Sequence, residues 1–314
     1  MSAASFDQTT SAFDLIAASA PERRPQLVAF WDEYAVRFEE VDNRSGIAMN
    51  ANKDRVAYAR KDVQILWLLG FSLWKSIELF APAVMMPSLT GVSSTSVLKL
   101  DTRLDSIERD YGERLKIIAQ IIEADTLDET LWPPDIPKPV ASRDDLQSIE
   151  DKAVFDLIMM TTSVAYLHEL RHVKFHRDHA NGSLRPTDPA EEEMMCDVWA
   201  RDWFMSKLGA YAKDRSHDFG QVCSKRALAL LIMCEFLRLA NNHTGAFGSA
   251  EYPPLADRIS ALSESVTLSD TDKFWIVSSC ILFGEVRRQG QKSLQLPSGS
   301  PKAITEFLVD VLTP

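Results

Sequence analysis

Glycine is scarce, at 12 residues in 314, or about 4% against the roughly 7% usual in globular chains. Few positions are set aside for the left-handed backbone of tight hairpins, which disfavours a hairpin-rich β fold. Basic charge is in deficit as well. Lys and Arg number 34 against 45 Asp and Glu, a formal net charge of -11, which repels a phosphate backbone and argues against nucleic acid as a partner. The four cysteines, Cys196, Cys223, Cys234 and Cys280, form no C-x-x-C pair. Neither a disulfide framework nor a cysteine zinc ribbon is indicated, and a reducing, cytoplasmic home is expected. Residues 1–21 contain Asp7 and Asp14 but no basic residue, unlike the start of a secretory signal. The most apolar run, residues 65–74, has about half of the roughly 20 residues that a membrane span requires. It reads as core, and no membrane association is expected.

What is present points to a folded, mainly α protein. The hydrophobic share is 46% and the charged share 25%, inside the ordinary globular range. Apolar residues Leu27, Phe30, Trp31, Tyr34 and Phe38 recur at helical steps, predicting a helix within 21–42. Further helices are expected over about 53–83, 106–122, 146–176, 189–210, 221–239, 254–263, 271–288 and 302–312. Short alternating stretches at 96–100 and 292–296 are the only strand candidates. Pro133, Pro134, Pro137 and Pro139 deny backbone donors and disfavour helix between 131 and 142. That segment is read as a boundary between an amino-terminal helical region, 1–140, and a second domain, 141–314.

The second domain carries the chemistry. His168-Glu169-Leu170-Arg171-His172 is an H-E-x-x-H motif on the long helix expected over 146–176. At 3.6 residues per turn His168 and His172 project from one face and can share one Zn2+, while Glu169 lies beside the metal as general base. A catalytic zinc needs a third protein ligand and an open fourth position. Asp188 and Pro189 read as the cap and first residue of another helix. On it Glu193 and Asp197 stand four residues apart on one face. With the two helices packed about 8 to 10 Å apart, Glu193 completes the ligand set and Asp197 orients a ligand histidine. Glu192 is expected to be dispensable for the metal. His176 and His179 are read as solvated or structural, because the glycine that turns a third histidine back towards the ion is missing. Cys196 is read as a small buried thiol. His243, in the polar stretch 241–252, is a candidate donor to a tetrahedral oxyanion.

The runs H-E-L-R-H, D-P-A-E-E-E-M-M-C-D-V-W-A and Y-P-P-L-A-D-R-I-S-A-L resemble zinc peptidases with H-E-x-x-H followed by E-x-x-(A/C)-D-x-x-A. Across about 146–262 they look similar to the Lit-like family of bacterial phage-exclusion metallopeptidases. The resemblance implies a helical zincin-type core and a cytosolic zinc endopeptidase acting on a specific protein. His168, His172 and Glu193 would be its ligands, Glu169 its base and Asp197 the orienting partner; Arg258 receives no more than a structural role. Two departures stand out. Arg171 and Lys174 fall where the broad zincin pattern prefers uncharged residues, and no substrate-pairing edge strand is legible ahead of the motif helix. Two other readings share the motif: a repressor-cleaving regulatory peptidase, and a non-catalytic binding protein with a structural zinc. Substrate identity and oligomeric state are not readable.

Overall fold

The computed structural model describes residues 8–90, 93–100, 104–126, 128–240, 249 and 252–313. Among them the chain is mainly helical, as its glycine poverty and apolar periodicity require. Helices α1 (Gln8–Ser19) and α2 (Arg24–Tyr34) lead to strands β1 (Arg37–Val41), β2 (Asn50–Ala51) and β3 (Arg55–Ala59). Then follow α3 (Arg60–Thr90), α4 (Ser94–Leu100), α5 (Leu104–Glu123), α6 (Ile149–Ala180) and α7 (Pro189–Met205). The carboxyl-terminal helices are α8 (Leu208–Asp214), α9 (Phe219–Ala240), α10 (Leu255–Ser265), α11 (Lys273–Arg288) and α12 (Pro301–Leu312).

Helix α6 is the axis of the fold and packs against α1, α3, α7 and α9. Ser148 starts it by accepting a hydrogen bond from the Asp151 amide at 2.9 Å, satisfying a backbone donor that the first turn leaves free. Gly182, at φ +89, supplies the left-handed residue that stops it, which suits glycine because no Cβ meets the carbonyl. Asp188 caps α7 through the Ala190 amide at 3.0 Å. Helix α3 is long and apolar enough to cross a membrane, and every residue from Ile65 to Leu73 is buried against the rest of the protein. It packs on α5, α6 and α11. One buried apolar cluster includes residues from α1 to α12, on both sides of the proline-rich segment.

Several local expectations give way. The periodic run 21–42 is not one helix: Ala35 turns left-handed, at φ 47, and the chain continues as β1. There Phe38 is buried between the exposed Arg37 and Glu39, a period-2 pattern that the aromatic spacing upstream concealed. Residues 55–59, expected to begin a helix, form β3 instead. The stretch 96–100 lies within α4, and 292–296 is irregular.

The sheet has the order β1-β3-β2, with β1 parallel and β2 antiparallel to the central strand. Two buried residues at the start of α3 fix it. Asp62 accepts hydrogen bonds from the amides of Ala59 at 2.9 Å and Ala48 at 3.1 Å. The Lys61 ammonium donates to the carbonyls of Arg44, Ile122 and Ala124, tying the segment before β2 to the end of α5. This stitching holds residues 47–51 beside α6.

Candidate active site

Ring by ring, the partner on α7 falls in number as α6 advances. His168 meets Asp197, whereas His172 meets Glu192, so the two helices run antiparallel. The His168 Nδ1 donates to Asp197 Oδ1 at 3.0 Å and the His172 Nδ1 to Glu192 Oε1 at 2.8 Å. With the rings neutral, carboxylates at both Nδ1 atoms leave both Nε2 atoms as the lone-pair positions. These converge, 3.3 Å apart. Glu193 faces both, with Oε2 3.2 Å from His168 Nε2 and Oε1 3.2 Å from His172 Nε2. A tetrahedral ion with bonds of about 2.0 to 2.1 Å needs donor pairs about 3.3 Å apart. The spacing and the donor chemistry both fit zinc.

Each outer carboxylate has its own arginine. Arg258, on α10 and buried, pairs through Nη1 with Asp197, and its Nη2 lies 3.8 Å from Glu193 Oε2. Arg185, in the α6–α7 connection, grips Glu192 through Nε at 2.5 Å and Nη2 at 2.7 Å. Its Nη1 donates to His176 Nδ1 at 3.1 Å. Two parallel chains result, His168-Asp197-Arg258 and His172-Glu192-Arg185.

The electrostatics favour positive charge at the centre. Burial opposes protonation of both rings, but bonds to Asp197 and Glu193 outweigh it and push His168 up to about 10. For His172 contacts with Cys196, Glu192 and Glu193 overcome burial in the same way. Burial would raise both glutamates, yet His172 and Arg185 hold Glu192 down at about 2. The two rings keep Glu193 well below the usual carboxylate range. Glu169 behaves oppositely. Its burial raises it above its ordinary value, against the pull of His172 and His168.

These groups open onto a cavity of about 630 Å³ that His168, Glu169, His172 and Glu193 line, within the size range of ligand pockets. Met49, Asn50 and Ala51 form one wall, so β2, an edge strand, borders the site. The sequence carries no convincing substrate-pairing edge strand ahead of the motif helix, and β2, at two residues, leaves too short an alternation to read. Met233, Phe236 and Leu237 of α9 give an apolar wall opposite in character, and Arg185 and Tyr252 also line the space.

His168, Glu169, His172, Glu193 and Asp197 thus come together, as their spacing led one to expect. His243 lies outside the described residues. His176 takes Arg185 as its partner, and His179 Nδ1 donates to the Ser183 carbonyl at 3.3 Å. Lys174 reaches Tyr34 and Asp178 and Arg171 lies over the Phe175 ring, so both charges serve other faces of α6. Cys196, passed over as a plain core thiol, has its sulfur within 4.8 Å of a ligand atom on each ring. Sequence reasoning missed Glu192, Arg185 and the contacts of Arg258. No spacing rule links either arginine to the motif.

The protein is mainly helical, with a cavity over paired imidazoles and carboxylates. The chain belongs to the peptidase U49 family, whose model matches residues 56–278, from within β3 to within α11. It is a peptidase. No curated protein and no solved structure matches the chain.

Proposed function

We propose that this peptidase is a zinc-dependent endopeptidase, with His168, His172 and Glu193 as ligands and Glu169 as general base. The observation that carries the reading is the convergence of two imidazole Nε2 atoms, 3.3 Å apart, with a Glu193 oxygen 3.2 Å from each, beneath an open cavity. Bound zinc would supply Lewis acidity, lowering the pKa of a water and polarising a peptide carbonyl. With such a water bound, Glu169 would accept its proton and return it to the leaving amine, a role that a carboxylate raised by burial suits. Asp197 and Glu192 fix the tautomers of the two rings. As an edge strand bordering the cavity, β2 is where an extended substrate segment would pair.

The substrate is a specific cytosolic protein, cut in phage exclusion or a stress response. The H-E-L-R-H and E-M-M-C-D runs and the acidic, cysteine-poor composition support that setting. The test compares wild type with Glu169→Ala for bound zinc and for the cellular proteins cut. Zinc retained with cleavage lost is the expected outcome, and equal cleavage by both removes Glu169 from the mechanism.

Cys196 favours a second reading, a closed structural ion held by His168, His172, Glu193 and a thiolate. Its sulfur lies within 4.8 Å of a ligand atom on each ring, and the presence or absence of a sulfur scatterer at the bound ion separates the two readings.

A further inference from the structure

Arg258 is an arginine with only 4% of its surface exposed, set 61 residues beyond Asp197 in sequence and brought to the centre by α10. One of its terminal nitrogens binds Asp197. The other, Nη2, is buried and finds no hydrogen-bond partner among the described residues; it lies 3.8 Å from Glu193 Oε2. A buried cationic N–H without an acceptor is unfavourable, and structures rarely keep one unless another state satisfies it.

We infer that Arg258 is a positioning residue that spans Asp197 and Glu193, and that it holds Glu193 to one-oxygen ligation so that a coordination position stays open. This rests on the zinc reading above. Glu193 has two oxygens and each faces a different imidazole. A carboxylate so placed can bind an ion through both, filling the position that substrate or water requires. When a single oxygen takes the ion, the other becomes the acceptor that Nη2 lacks. The guanidinium suits the task because its planar fork carries charge and several donors at fixed separation, which a lysine ammonium cannot match. Through Asp197 the same arginine also sets the direction of the His168 ring. Arg185 has no such reach. Its fork closes on both oxygens of Glu192, and that carboxylate touches a ring nitrogen facing away from the centre.

The experiment uses the full chain, first loaded with zinc and then with cobalt(II). Zinc affinity is read by competition with a chromophoric chelator for wild type, Arg258→Met and Arg258→Lys, with folding checked by circular dichroism and thermal melting. Loss of the fork should weaken zinc binding by about 10- to 100-fold, the range for groups that hold a ligand in place. In the cobalt(II) form the visible absorbance per ion should fall, because two-oxygen ligation raises the coordination number. Arg258→Lys keeps the charge and the fold, so it decides the matter should Arg258→Met fail to fold. A folded Arg258→Lys protein with wild-type zinc affinity and an unchanged cobalt spectrum overturns the inference. Wild type that binds neither metal overturns the zinc reading instead, a distinguishable failure.

Discussion

Three consecutive acids at the start of α7 provide a graded test, because the structure gives each a different environment. Glu191 is exposed. Glu192 bonds the outer nitrogen of His172 at 2.8 Å, and Glu193 lies 3.2 Å from both inner nitrogens. Substituting each by Gln keeps size and removes charge. A four-donor structural zinc site is worth about 10 to 16 kcal/mol. One donor is then worth roughly 3 kcal/mol, or about two orders of magnitude in Kd. Glu193→Gln should lose at least that. Glu192→Gln leaves the ligands in place but frees the ring they depend on, and should cost about 10- to 100-fold. Glu191→Gln should leave Kd unchanged. Zinc affinity by chelator competition on the three proteins, each shown to be folded, checks the order. Tight zinc binding by Glu193→Gln, or a Glu192→Gln protein indistinguishable from Glu191→Gln, would refute the reasoning.

Glu169→Gln should bind zinc as wild type does while peptide cleavage falls by about 10²- to 10⁴-fold; cleavage assays at matched zinc occupancy check it. In chelated protein the ion pair of His168 should make stability depend on pH. The ring is held up at about 10 from 6.5, burial notwithstanding, so its contribution is complete below pH 6.5 and is lost as pH rises through about 10. Melting temperature with chelator present should therefore fall between pH 7 and 10, and a flat profile contradicts the pairing. Gly70 lies where α3 crosses α6, and a Cβ there would stand 2.5 Å from Ile158 Cγ1. Gly70→Ala should accordingly destabilise by about 1 to 3 kcal/mol, visible as a lowered melting temperature.

The helices that build the site are legible because their signals are local. Asp188 and Pro189 announce α7, and the H-E-x-x-H spacing alone puts two rings on one face of α6. The four-residue step from Glu193 to Asp197 does the same for the carboxylates. What stays hidden depends on contacts distant in sequence. Glu192 looks interchangeable with its neighbours until His172 presents a second nitrogen to it. Arg258 belongs to a helix whose position over Asp197 no periodicity encodes. The strands escaped for a different reason: β2 has two residues, and β1 begins where Ala35 turns left-handed after a run of aromatics with helical spacing. Short edge strands take their structure from a neighbour, here the segment pinned by Lys61 and Asp62, rather than from their own composition.

The zinc assignment itself is tested most directly by X-ray absorption at the zinc edge of the loaded, purified protein. Two imidazole nitrogens and carboxylate oxygen at about 2.0 Å, with no sulfur neighbour, is the result expected from His168, His172 and Glu193. A sulfur scatterer at about 2.3 Å would place Cys196 in the ligand set, and a protein that takes up no zinc would contradict the account outright.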